Sequence, residues 1–97
     1  MSADNAIFVL ELNDAYVIKE STMSMIDDLF YNEELSIQES TMVPKGIASV
    51  FSNHNRRSTL ESALDKAQHL LRLTETEYGI HIIKAKEFNY SEVFVNR

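Results

Sequence analysis

The sequence predicts an α+β domain: a four- to five-stranded, mostly antiparallel sheet with two helices. The predicted order is β-β-α-β-α-β with a further strand at the end. Three observations carry this reading. Ile7 to Leu12 and Ala15 to Glu20 are apolar runs on either side of Asn13-Asp14, a hairpin pattern. Leu60, Ala63, Leu64, Ala67, Leu70 and Leu71 form an apolar stripe at helical spacing. After Gly79, the residues Ile80, Ile82 and Ile83 mark a late strand. A chain of 97 residues, 44% hydrophobic and 25% charged, supports one core, so residues 1–97 are read as a single domain.

Taken in order, Ile7–Leu12 leaves only Glu11 polar and is the first strand. Asn13 and Asp14 tolerate left-handed backbone angles and bond their own main chain, which suits a tight turn. Ala15–Glu20, with Tyr16, Val17 and Ile18, returns as the second strand. From Met25, the apolar positions Met25, Ile26, Leu29 and Phe30 define one helical face that ends near Glu33-Glu34. Ser24 with Asp27 resembles a capping pair at its start. Residues 35–45 lack a sustained period and read as a loop with a short extended piece, closed by Pro44 and Gly46. Ile47–Phe51 is a third strand by apolar bulk. Ser58, three residues before Glu61, forms a capping box for the second helix, which ends over Thr74–Tyr78. Ile80–Phe88 is the fourth strand, and Tyr90, Val93, Phe94 and Val95 supply the last edge strand. Strands apolar on both faces need cover on both. Helices split across the sheet supply it internally, and helices on one face leave the other to a second copy, the basis for expecting a homodimer.

The chemistry available to this chain is narrow. Without cysteine there is no disulfide, thiolate nucleophile or Cys-based metal site. No Gly-x-Ser-x-Gly elbow occurs, and Gly46 and Gly79 are too far apart for a phosphate-cradling loop. His54, His69 and His81 stand apart in sequence, and the helical pair Asp65 and His69 cannot complete a metal site alone. No catalytic residue, cofactor or metal is therefore assigned. The apolar run Ala6–Leu10 is too short to cross a bilayer, and Met1–Asn5 carries an acid where a secretion signal needs a base. A cytoplasmic protein without membrane contact is expected.

Charge is unevenly spread. Residues 1–50 hold nine acids against two lysines, whereas residues 51–97 hold six acids and seven bases, within a net charge of −6. Such a chain repels phosphate backbones at long range, which disfavours general nucleic-acid binding. Asp27, Asp28, Glu33 and Glu34 in the first helix form the expected partner-binding set, a negative surface for a protein partner. The plain alternative is a solvated helix face. Arg56, Arg57 and Ser58 precede the second helix, whose N-terminal N–H groups favour anions. They form an alternative site, for a phosphorylated small ligand. Phe8, Tyr16, Phe30, Phe51 and Phe88 fall on apolar positions and read as core, whereas Tyr90 and Phe94 share a face as a core cap or partner anchor.

Several segments resemble a family of small bacteriophage and prophage proteins. These are the opening Met1-Ser-Ala-Asp-Asn5 before an apolar strand, Val50-Phe51 ahead of a helix beginning Leu60-Glu61 with Ala63-Leu64, and the late Glu77-Tyr78-Gly79-Ile80. The chain departs from the family where Ser24-Met25-Ile26-Asp27-Asp28 replaces a histidine and an Ala-Ile-Glu-Asn run. The family supplies no catalytic residues. The resemblance implies an origin in a mobile element and action in a bacterial host cytosol, as a non-enzymatic accessory protein that binds and modulates a host protein.

Overall fold

The computed structural model describes residues 5–22 and 48–94. The first helix expected from Met25, the 35–45 loop, and the acids Asp27, Asp28, Glu33 and Glu34 lie outside the described residues, as does Val95.

The hairpin forms as its pattern predicts. Strand β1 (Asn5–Leu12) pairs antiparallel with β2 (Tyr16–Thr22), from Asn5 opposite Thr22 to Glu11 opposite Tyr16. The Leu12 N–H donates to the Ala15 carbonyl at 2.9 Å, closing the turn over Asn13 and Asp14. A short strand, β3 (Asn55–Arg57), pairs antiparallel with β2. Helix α1 (Leu60–Thr74) then crosses back, and β4 (Ile80–Ala85) lies parallel to β1. Helix α2 (Tyr90–Phe94) ends the described chain. The sheet order is β3-β2-β1-β4, a mixed sheet within an α+β fold, with one parallel pair among three. No described helix is long and apolar enough to cross a membrane.

The alternation of β1 divides the core. Ala6, Phe8, Leu10 and Leu12 point to one face, where they meet Phe51, Ala85 and Val93. Ile7 and Val9 point to the other, where they meet Ile18 and the α1 residues Ala63 and Ala67. Every β1 residue from Ala6 to Leu12 is buried, because a central strand with helices on both sides has no solvent face. Full burial of Phe8 and Phe51 contributes about 2 kcal/mol each. The helices are thus split across the sheet, and the chain covers both faces of β1 itself.

Five elements differ from expectation. Residues 48–50 are helical where Ile47–Phe51 reads as a strand, since a short apolar run does not distinguish strand from buried helix. Tyr90–Phe94 is helical rather than an edge strand: Tyr90, Val93 and Phe94 follow helical spacing, and the Asn89 N–H donates to Glu92 Oε1 at 2.6 Å as a cap. The α1 cap is Thr59, whose hydroxyl accepts from the Ser62 N–H at 3.2 Å, so Ser58 stands outside the helix. Polar residues 55–57 form β3 because an edge strand needs backbone partners rather than apolar side chains. Strand β4 also stops at Ala85, three residues before the expected end.

Candidate functional site

Two regions bring together side chains beyond the needs of the core. The first is the corner between β3 and α2. Asn53 takes a left-handed φ of 57°, tolerable for asparagine, and turns the chain into His54. His54 Nδ1 lies 2.9 Å from the Phe51 carbonyl, which only accepts, so this nitrogen carries a proton. In the neutral ring Nε2 is then the acceptor, and the Tyr90 hydroxyl donates to it at 2.7 Å. Phe94, one turn after Tyr90, sets its ring 4.3 Å from that of His54. The Arg56 guanidinium covers the outer face of Tyr90, 3.8 Å from the ring centre, a contact worth about 0.5–1 kcal/mol at an exposed position.

The β1–β2 turn fixes this corner from the other end. Asp14 Oδ1 accepts from the Tyr90 N–H at 2.7 Å, and the Asn13 side chain donates to Asn89 Oδ1 at 2.7 Å. The Asn13 N–H reaches the Phe88 carbonyl at 2.9 Å. Both His54 ring nitrogens and the Tyr90 ring are therefore engaged within the fold, and the arrangement acts as a clamp that holds α2 to the sheet.

The second region is the outer side of β4. Glu11, Leu60, Ile82, Lys84 and Lys86 line an open cleft of about 390 Å³ on the α1 face. The buried Glu11 carboxylate is paired with Lys86 Nζ at 3.3 Å. Ile82 and Leu60 are 44% and 36% exposed, because α1 packs chiefly over β1 and β2 and reaches β4 less. Among the described residues the strand edge is open as well. The Ile7 N–H donates to the Gly79 carbonyl at 2.8 Å while Ile7 stands opposite Ile80. In a parallel ladder with that register, the peptide groups of Ile80, Ile82 and Lys84 point away from β1. Among the described residues no strand pairs with that outer side.

The structure separates the proposed anion set. Arg56 and Arg57 are consecutive strand residues and leave opposite faces of the sheet. Arg56 lies on Tyr90, Arg57 stands opposite Tyr16 on the α1 side, and Ser58 is exposed. Thr59 and the acidic Glu61 already occupy the α1 N-terminus. His81 lies on the face opposite Ile80 and Ile82, against Phe8 at 5.7 Å, with Nε2 donating to the Tyr78 carbonyl. No group of three or more His, Asp or Glu residues among the described residues is placed to hold a metal. The clamp was partly visible in the sequence, through Tyr90 and Phe94 at i, i+4 and the Asn89–Glu92 spacing. The open edge carried no such signal, because it depends on which strand ends the sheet. No family model, curated protein or solved structure matches the chain.

Proposed function

We propose that this chain is a non-enzymatic protein-binding domain whose contact surface is the outer edge of β4 with the cleft beside it. One observation carries the reading. Among the described residues β4 ends the sheet, and three of its six residues, Ile80, Ile82 and Lys84, turn their backbone donors and acceptors outward, next to the exposed side chains of Ile82 and Leu60. Such an edge is a template for strand addition, in which main-chain bonds give affinity and flanking side chains give selectivity. The resemblance to small phage and prophage proteins supports an accessory role, binding and modulating a host protein in the bacterial cytosol. The acidic first half supports a partner with a complementary basic surface, and reversing Asp27, Asp28, Glu33 and Glu34 tests that contact.

The edge is tested with Ile82→Pro. The Ile82 N–H points outward, so proline there removes no bond to β1 but blocks an incoming strand. Immobilised wild-type chain is expected to retain a near-stoichiometric host protein from nuclease-treated bacterial lysate, and folded Ile82→Pro is expected to lose it. Equal retention by both would refute the edge as the contact surface.

A further inference from the structure

We propose that the cleft beside β4 binds a free α-amino acid with an aliphatic side chain, its ammonium group on Glu11. The inference goes beyond the protein-binding reading and does not rest on it. Glu11 is the only charged residue in the buried run Ala6–Leu12. A carboxylate taken out of water is costly unless it is well paired. This one is paired only in part. Lys86 Nζ stands 3.3 Å from Oε2, longer than the ~2.7–2.9 Å of a tight charge-assisted bond, and the lysine side chain is 64% exposed. Among the described residues Glu11 has no second hydrogen-bond or ion-pair partner, and Oε1 is not sealed from solvent. A half-used acceptor therefore stands in the lining of the cleft, held by one loosely placed ammonium group.

The surrounding residues define the rest of the ligand. Lys86 shows the donor that this carboxylate takes, a primary ammonium, and its exposed side chain is free to give the place up. Lys84 stands opposite Glu11 in the β1–β4 register, lines the same cleft, and has no ion-pair partner among the described residues. A ligand carrying an ammonium group alone would meet Lys84 as a like charge. A carboxylate beside that ammonium turns the contact into an attraction. Leu60 and Ile82 supply the apolar lining, and an aliphatic side chain laid on them removes apolar surface from water. The volume of about 390 Å³ lies in the range of small-molecule sites, roughly 300–1,000 Å³. An α-amino acid such as L-leucine joins the ammonium, the carboxylate and the aliphatic group at one carbon. It uses side chains above the sheet, so the outward backbone groups of β4 stay unused.

Titration of the isotope-labelled full chain with L-leucine, followed by NMR, tests this. Saturable shifts are expected at the amides of Glu11, Leu60, Ile82 and Lys84, with one site per chain. Isocaproate, isoamylamine and glycine lack the ammonium group, the carboxylate and the side chain in turn. Each should bind at least about tenfold more weakly than L-leucine. Glu11→Gln should lose at least about tenfold in affinity, whereas Lys86→Ala, which removes the competing ammonium group, should gain about threefold or more. Should Glu11→Gln fail to fold, Lys84→Met at an exposed position carries the test with the same expected loss. No saturation by about 10 mM L-leucine, equal binding of isocaproate, no gain in Lys86→Ala, or affinity unchanged in Glu11→Gln and Lys84→Met would overturn the proposal. A chain that retains a host protein but does not bind L-leucine would overturn the ligand and leave the contact edge standing. L-leucine binding by a chain whose host-protein retention is indifferent to Ile82→Pro would do the reverse.

Discussion

The two faces of the sheet are built on different principles, although the same strand supplies the centre of both. On the α2 side, a five-residue helix would be marginal by itself, since so short a helix forms few of its own bonds. Its position is set from outside, by Asp14 on the Tyr90 N–H, Asn13 on Asn89, and His54 on the Tyr90 hydroxyl. On the α1 side, fifteen residues of amphipathic helix lie over β1 and β2 by apolar contact, with Ala63 and Ala67 fully buried. That helix covers the middle of the sheet and leaves β4 partly bare, as Ile82 shows. Polar ties close one face to its rim, whereas apolar packing with the single Glu11–Lys86 ion pair leaves Ile82 and Leu60 partly exposed on the other.

The largest test of this contrast lies beneath the clamp. Phe8 and Phe51 are fully buried in the α2-side cluster, and Phe8→Ala should cost about 3–5 kcal/mol in chemical denaturation. A cost below about 1 kcal/mol would mean that this face is not packed as described. On the α1 side, Ala67→Leu forces three more carbons between the helix and Ile7, Val9 and Ile18. It should destabilise by about 1–3 kcal/mol, because the small side chain is what brings the helix close.

How far these faces were legible in the sequence differs in the same way. The α1 face was readable, because its apolar stripe and the hairpin runs are periodic over many residues. Its cap lies one residue later than the sequence suggests, since Ser58 with Glu61 satisfies the capping-box spacing, whereas the backbone geometry makes Thr59 the residue that accepts from the Ser62 N–H. The α2 face was misread at both of its helical pieces. Positions 90, 93 and 94 fit a helix, but five residues are too few for the period to outweigh the strand-forming Tyr, Val and Phe. The clamp joins residues 36 apart, His54 and Tyr90, and no local pattern announces such a contact. The open edge is a topological fact. Ile80–Ala85 reads as a strand in any arrangement, and only its parallel placement beside β1 leaves Ile80, Ile82 and Lys84 facing out.

A smaller effect separates the polar ties from the packing they assist. Tyr90→Phe keeps the ring beneath Arg56 and beside Phe94 but removes the hydroxyl that serves His54 Nε2. A loss of about 1–2 kcal/mol is expected, the cost of a half-buried acceptor left without its donor. A double-mutant cycle with His54→Ala isolates the pair, and a coupling of about 0.5 kcal/mol or more would identify the clamp as energetic rather than incidental. At the other end of α1, Glu75 holds a left-handed φ of 51° and places an acid at the negative end of the helix dipole. Glu75→Gly relieves both and should stabilise by about 1 kcal/mol, read as a rise in melting temperature.

The smallest expected change in stability is the one that sharpens the contrast most. Ile82 is 44% exposed on a strand whose outer side is open, so Ile82→Thr keeps a β-branched side chain and removes little buried surface. Within one chain the cost should stay near 0.5 kcal/mol, the range of ordinary surface substitutions. The same volume change beneath α2 would create a cavity, as Phe8→Ala does on a larger scale. Denaturation should be followed at low protein concentration, where association contributes nothing to the midpoint. If Ile82 is a surface residue of its own chain, wild type and Ile82→Thr will coincide within that margin. If they differ by more, Ile82 belongs to the core of its own chain, and the α1 face is as closed as its opposite.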